Sequence, residues 1–160
     1  MLISDLLSPS SIRLDVHSGS KKQLLEIISK ELARHDDGLR AREIFESLCA
    51  RERLGSTGLG QGVAIPHGRI KGNFPIRASF IRLKKPLPFD SIDSKPVDLL
   101  FAMTVPENCG EDHLKLLANI AELFGDPGLL HALRTTNDPV TVLQLLSPTS
   151  GPVARTATGR

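Results

Sequence analysis

Val97-Asp98-Leu99-Leu100-Phe101-Ala102-Met103-Thr104-Val105 is almost continuously apolar, the pattern of a strand buried on both faces. A sheet containing such a strand needs a covering layer on each side. Upstream, Ile76 to Leu83 predicts a second strand, and Lys84-Lys85-Pro86-Leu87-Pro88-Phe89-Asp90 between the two is turn-like. Ile12-Arg13-Leu14-Asp15-Val16 alternates apolar and polar residues, a strand signal, and Val63 to Ile65 predicts another short strand. The helices to cover the sheet are also legible. Ser20-Lys21-Lys22-Gln23 is a capping box opening a helix with Leu24, Leu25, Ile27, Ile28, Leu32 and Ala33 as its stripe. A second helix spans about Arg40 to Arg53, burying Ile44, Phe45, Leu48 and Cys49. Asn108-Cys109-Gly110-Glu111 is a further capping box for a helix ending near Phe124. Asp126-Pro127 and Asp138-Pro139 each place a cap before a proline at the first helical position. Met1 to Pro9 predicts a turn of helix. The sum is a single α/β domain with helices on both sides of a central sheet.

Composition narrows the function classes. A chain of 160 residues is about one domain and large enough to fold without a metal or disulfide. Lys and Arg number 20 against 18 Asp and Glu, and the excess lies in Arg155 and Arg160, beyond Ser147. The body is formally neutral, which argues against a nucleic-acid footprint. There is no Trp or Tyr, so base-stacking platforms would fall to six Phe, most of them inside apolar runs. Residues 148–160 are Ser-, Pro-, Thr- and Gly-rich without periodicity and predict a flexible tail, with 1–147 as the domain. Cys49 and Cys109 have no metal or redox spacing, and Cys49 lies in a helical stripe where a thiol is buried and inert. No secretory signal or membrane-length apolar run is present, so the expectation is a cytoplasmic protein without membrane insertion.

The chemistry gathers around His67. Five glycines fall between positions 55 and 68, and Ile65-Pro66-His67-Gly68 sets an imidazole at a rigid strand end. A neutral imidazole can attack phosphorus without first losing a proton, and Gly68 leaves room beside the ring. The glycine loop offers space for a docked donor and amides that could cradle oxygens. The same residues also suit a structural histidine after an ordinary loop, and residue chemistry alone leaves both open. There is no Lys-Ser/Thr after the glycines, so no P-loop, and no GxGxxG spacing. His67, Asp112 and His113 lack the spacing of a metallohydrolase, and no metal or cofactor is expected.

The run from Arg51-Glu52-Arg53-Leu54-Gly55-Ser56-Thr57-Gly58 through Ile65-Pro66-His67-Gly68 resembles the active-site signature of the mannitol/fructose-type IIA proteins of the bacterial phosphoenolpyruvate phosphotransferase system. It is most similar to the nitrogen-regulatory branch, enzyme IIA-Ntr, whose members read RE-x-x-GSTG-x-G-x-G-x-AIPHG. Phe89 to Ala102 and Ser20-Lys21-Lys22 resemble further blocks of the same family, and the likeness spans residues 3–147. It implies a mixed central sheet and a phosphotransferase component that carries phosphate on His67, received from a phospho-HPr or NPr protein. Arg51 matches the arginine that faces the phosphoryl group and His113 the second histidine beside it. Ser56, Thr57 and Gly68 are lesser contacts. Gln61 stands where Asn is common and Arg69 where Lys is common; Arg69 is either a docking residue or a plain solvated charge. The resemblance implies regulatory partners such as potassium-transport or sensor-kinase proteins. Two alternatives stand beside it: a sugar-specific IIA passing phosphate to a IIB domain, and a protein-binding module without covalent chemistry.

Overall fold

The computed structural model describes residues 2–35 and 37–147; the segment 148–160, read above as a tail, lies outside them. Among the described residues there are six strands: β1 (Ile12–Val16), β2 (Gly58–Gly60), β3 (Val63–Ala64), β4 (His67–Ile70), β5 (Arg77–Leu87) and β6 (Val97–Pro106). They form one sheet in the order β1-β5-β6-β3-β2, with β4 also paired to β6. The sheet is mixed, as the resemblance implied: β5 and β6 are antiparallel, while β3 and β4 run parallel to β6 and β1 parallel to β5. Five helices complete the fold: α1 (Lys21–Leu32), α2 (Ala41–Arg53), α3 (Glu111–Leu123), α4 (Pro127–Thr135) and α5 (Pro139–Leu145).

The apolar run that opened the sequence is β6, and its alternation divides the interior. Leu99, Phe101, Met103 and Val105 face a core completed by Leu116 and Ile120 of α3, Leu129 and Leu133 of α4 and Val142 of α5. Leu100 and Ala102 face the other core, built with Leu24, Ile28 and Leu32 of α1 and Ile44 and Leu48 of α2. Helices therefore cover both faces, which is why the strand can afford no polar alternation.

Several local expectations need correction. Lys84 to Leu87 is strand, not turn: β5 runs on until Leu87 pairs with Val97, across an irregularity after Arg82 that accommodates Pro86. α3 is capped by Gly110 at φ 60° with no side-chain cap, so no capping box forms at Asn108. At α1, Ser20 Oγ does accept from Gln23 N–H at 3.1 Å, but the Gln23 side chain takes the Gly19 amide at 2.7 Å, one residue before the cap. Cys49 is half-buried rather than buried, and burial raises its thiol pKa. The main surprise is β4. Pairing with β6 lapses at Ile65-Pro66, where proline has no N–H to give, and resumes at once: Met103 N–H donates to Pro66 O at 3.0 Å and His67 begins a new strand.

Candidate functional site

His67 is the first residue of β4, so alternation puts His67 and Arg69 on one face and Gly68 and Ile70 on the other. Gly68 is required for packing against α2 rather than for room beside the ring. A Cβ there would lie 2.3 Å from Ser47 Oγ and 2.9 Å from Ser47 Cβ. Ser47 Oγ in turn donates to Arg69 O at 2.8 Å.

His67 is recessed, 7% exposed, without the room beside the ring that the sequence reading expected. Its Nδ1 lies 2.7 Å from Ile65 O. A carbonyl can only accept, so Nδ1 carries the hydrogen and Nε2 is left with the lone pair. Burial lowers the His67 pKa below the ordinary 6.5; the Ile65 carbonyl and Glu52 pull it up, and Arg51 and Arg69 push it down. The ring is neutral at pH 7.

His113, on the first turn of α3, covers His67 edge-on, with ring centroids 5.4 Å apart and planes at 76°. It is 5% exposed, and neither ring nitrogen has a hydrogen-bond partner. Burial lowers its pKa first, followed by repulsion from a protonated His67 and from the charges of Arg69 and Arg51. Arg51 stands in the last turn of α2, its Nη1 donating to Gly55 O at 2.8 Å. Arg69 donates from Nη1 to Glu107 O at 3.0 Å. Each guanidinium is pinned by a backbone carbonyl, and both fields reach the two imidazoles. The result is a neutral nucleophile in positively charged surroundings, an arrangement that favours an approaching dianion.

Ser56 and Thr57 hold the loop together. Ser56 Oγ donates to Phe89 O at 2.6 Å and accepts from Gly58 N–H at 3.0 Å. Thr57 N–H donates to Glu52 Oε1 at 3.2 Å and its hydroxyl to Glu52 Oε2. The loop glycines also serve internal packing. A Cβ on Gly58 would strike Ser91 at 2.2 Å, and one on Gly62 would strike Arg134 at 2.4 Å. Two of the loop amides expected to cradle oxygens are engaged within the protein: Gly58 N–H with Ser56 Oγ and Gln61 N–H with Asp93 Oδ2 at 2.9 Å. Sequence reasoning missed Glu52 and the Ile65 carbonyl. A carboxylate four residues before a Ser-Thr-Gly loop was the available signal for the first; a backbone acceptor leaves none. Among the described residues no cluster of His, Cys, Asp or Glu is placed to hold a metal, and no helix is long and apolar enough to cross a membrane.

Residues 5–148 match the model of the family described as phosphoenolpyruvate-dependent sugar phosphotransferase system, EIIA 2. The nitrogen regulatory protein of Bradyrhizobium diazoefficiens is 41% identical over 147 residues, covering 92% of this chain and 95% of that one. The nitrogen regulatory protein of Escherichia coli K12 is 40% identical over 151 residues, covering 93% and 91%. Among solved structures, nitrogen regulatory protein IIA-Ntr from Neisseria meningitidis superposes with a TM-score of 0.86 at 43% identity, over 91% of this chain and 99% of that one. The mannitol IIA of Escherichia coli shares the fold, with a TM-score of 0.75 at 19% identity over 88% and 99%. The chain belongs to the EIIA 2 family of the phosphoenolpyruvate-dependent phosphotransferase system and is similar to its nitrogen-regulatory members.

Proposed function

We propose that this protein is a cytoplasmic regulatory phosphocarrier that takes a phosphoryl group onto His67 Nε2 from a phosphohistidine carrier of the HPr or NPr type. The observation that carries the reading is the Nδ1–H bond to Ile65 O, which leaves the Nε2 lone pair as the nucleophile. In the transfer, that lone pair forms the new N–P bond as the donor's N–P bond breaks in line, its electron pair returning to the donor ring. The hydrogen on Nδ1 stays in place. As positive character develops on the ring, the Ile65 carbonyl stabilises it, consistent with its upward pull on the His67 pKa. Arg51 and Arg69 compensate the charge on the phosphoryl oxygens, and His113, with two unpartnered nitrogens, donates to one of them. A phosphoryl group adds about −1.5 to −2 charge to a recessed site, enough to switch an interface with a target protein. By the resemblance of its signature to the nitrogen-regulatory branch, its targets would be of the potassium-transport or sensor-kinase class.

The sugar-transport reading is the alternative supported by a specific likeness. The fructose-specific EIIABC component of Bacillus subtilis is 29% identical over 125 residues, which is 78% of this chain but 20% of that protein. One experiment addresses the main reading: pass labelled phosphate from phosphoenolpyruvate through enzyme I and HPr or NPr to wild type and His67→Ala. An acid-labile label on wild type, absent from the variant, is expected. Equal labelling of both proteins refutes His67 as the acceptor. Efficient onward transfer to a fructose-type IIB domain would favour the sugar-transport role.

A further inference from the structure

The Glu52 side chain, at the end of α2, is 6% exposed, and its carboxylate gathers three donors. Thr57 gives both its N–H, at 3.2 Å, and its hydroxyl, and Lys21 of α1 gives its ammonium at 3.0 Å. Thr57 does not end the series. Its carbonyl accepts from Ile65 N–H at 3.0 Å, and the Ile65 carbonyl accepts from His67 Nδ1–H at 2.7 Å. An unbroken run of contacts through Thr57 and Ile65 joins the buried carboxylate to the ring.

We propose that Glu52 is a positioning residue for phosphoryl transfer: by anchoring Thr57, and through it Ile65, it holds the His67 imidazole in the tautomer and angle that present Nε2. This rests on the reading of His67 as the phosphoryl acceptor. Between Ala64 and His67 the bond to β6 is the one Pro66 O accepts from Met103 N–H, and the backbone of Ile65, whose carbonyl orients the ring, is held instead by Thr57 on the other side. Thr57 is itself in a loop and owes its place to Glu52. Lys21 balances the buried charge and is secured by Asp90 at 3.9 Å and the Phe89 ring at 4.3 Å. The charged groups facing His67 come from three elements: Arg51 and Glu52 of α2, Arg69 of β4 and His113 of α3. Glu52 is the one anion among them, so it also offsets the field that disfavours positive character on the ring. Glutamine in its place has one acceptor oxygen for three donors, and its NH2 must face one of them.

The test uses Glu52→Gln and Thr57→Val in the full chain. The first readout is the imidazole ¹⁵N spectrum of the unphosphorylated protein, which reports the His67 Nδ1–H directly and does not depend on transfer. The second is single-turnover transfer from a phosphorylated HPr-type donor, separating the saturating rate from the half-saturating concentration. In wild type the Nδ1–H signal is retained against exchange with water. Glu52→Gln is expected to lose it, to titrate His67 lower than wild type, and to slow the saturating rate about tenfold or more. Its half-saturating concentration stays within about twofold, since donor docking does not touch Glu52. Thr57→Val is expected to weaken the signal and slow transfer, with His67 titrating as in wild type because the charge remains. Folded variants that keep both the Nδ1–H signal and the wild-type rate overturn the proposal, as does a defect confined to half-saturation. If Glu52→Gln does not fold, Thr57→Val decides by the same criteria. Wild type that accepts no phosphoryl group overturns the functional reading instead, and the spectra still decide whether Glu52 holds the ring.

Discussion

Replacing His113 by leucine should make the protein more stable and less active. Both ring nitrogens are buried without a partner, and in a neutral imidazole one is a donor and the other an acceptor. Each unsatisfied buried group costs about 1–3 kcal/mol, so removing two relieves about 2–6 kcal/mol. Losing the edge contact with His67, 5.4 Å between centroids, returns about 0.5–1.5 kcal/mol. Leucine has comparable volume and a better helix propensity for α3. The lower end of that range, about 1–3 kcal/mol of net stabilisation, is the expectation, raising Tm by about 2–12 °C in thermal unfolding followed by circular dichroism at neutral pH. The same change removes a donor to a charged phosphoryl oxygen, about 1.5–3 kcal/mol, and should slow transfer to His67 roughly ten- to a hundredfold. A variant that melts below wild type yet transfers at the wild-type rate would refute the reasoning, because His113 would then act through packing alone.

Gly68→Ala should destabilise by about 1–3 kcal/mol in urea unfolding, because the new Cβ meets Ser47 at 2.3 and 2.9 Å; Ser47→Gly in the same chain should recover much of the loss. Arg82 is buried and donates to Leu133 O and Thr136 O at the end of α4 and to Asp15 and Asn137; since Asp15 is largely exposed, the cost of Arg82→Met lies in the two carbonyls left without a donor, about 2–6 kcal/mol, read as a lower urea midpoint. Burial holds His67 and His113 below 6.5, so as pH falls under 6.5 the unfolded chain binds protons the folded one refuses. Stability should therefore decline as pH drops from 6.5 through the folded values, and a His67→Gln, His113→Leu double variant should flatten that decline.

What could be read along the chain followed side-chain periodicity. β6 announced itself because covering layers on both faces remove every reason for a polar residue, and α4 and α5 because Asp-Pro caps act locally: Asp126 and Asp138 accept from the amides of Gly128 and Val140. β4 was missed because its pairing begins at a proline carbonyl and its four residues include a glycine and an arginine. The strand at Lys84 to Leu87 was missed for a related reason: its partner at Val97 lies beyond a loop that no local pattern reports. At the site, a signature singled out the histidines and arginines that the structure brings together. The glycines were taken as open space, whereas each of Gly58, Gly62 and Gly68 answers a side chain distant in sequence, Ser91, Arg134 and Ser47. Such close approaches exist only once the chain has folded.

Arg51, His67 and His113 come from α2, β4 and α3, and α2 and α3 belong to opposite layers of the sheet. A chain in which one layer has docked and the other has not possesses no complete site. Were His67 to take a phosphoryl group as proposed, the mark would require both layers in place, and a half-assembled copy would lack the groups to receive it.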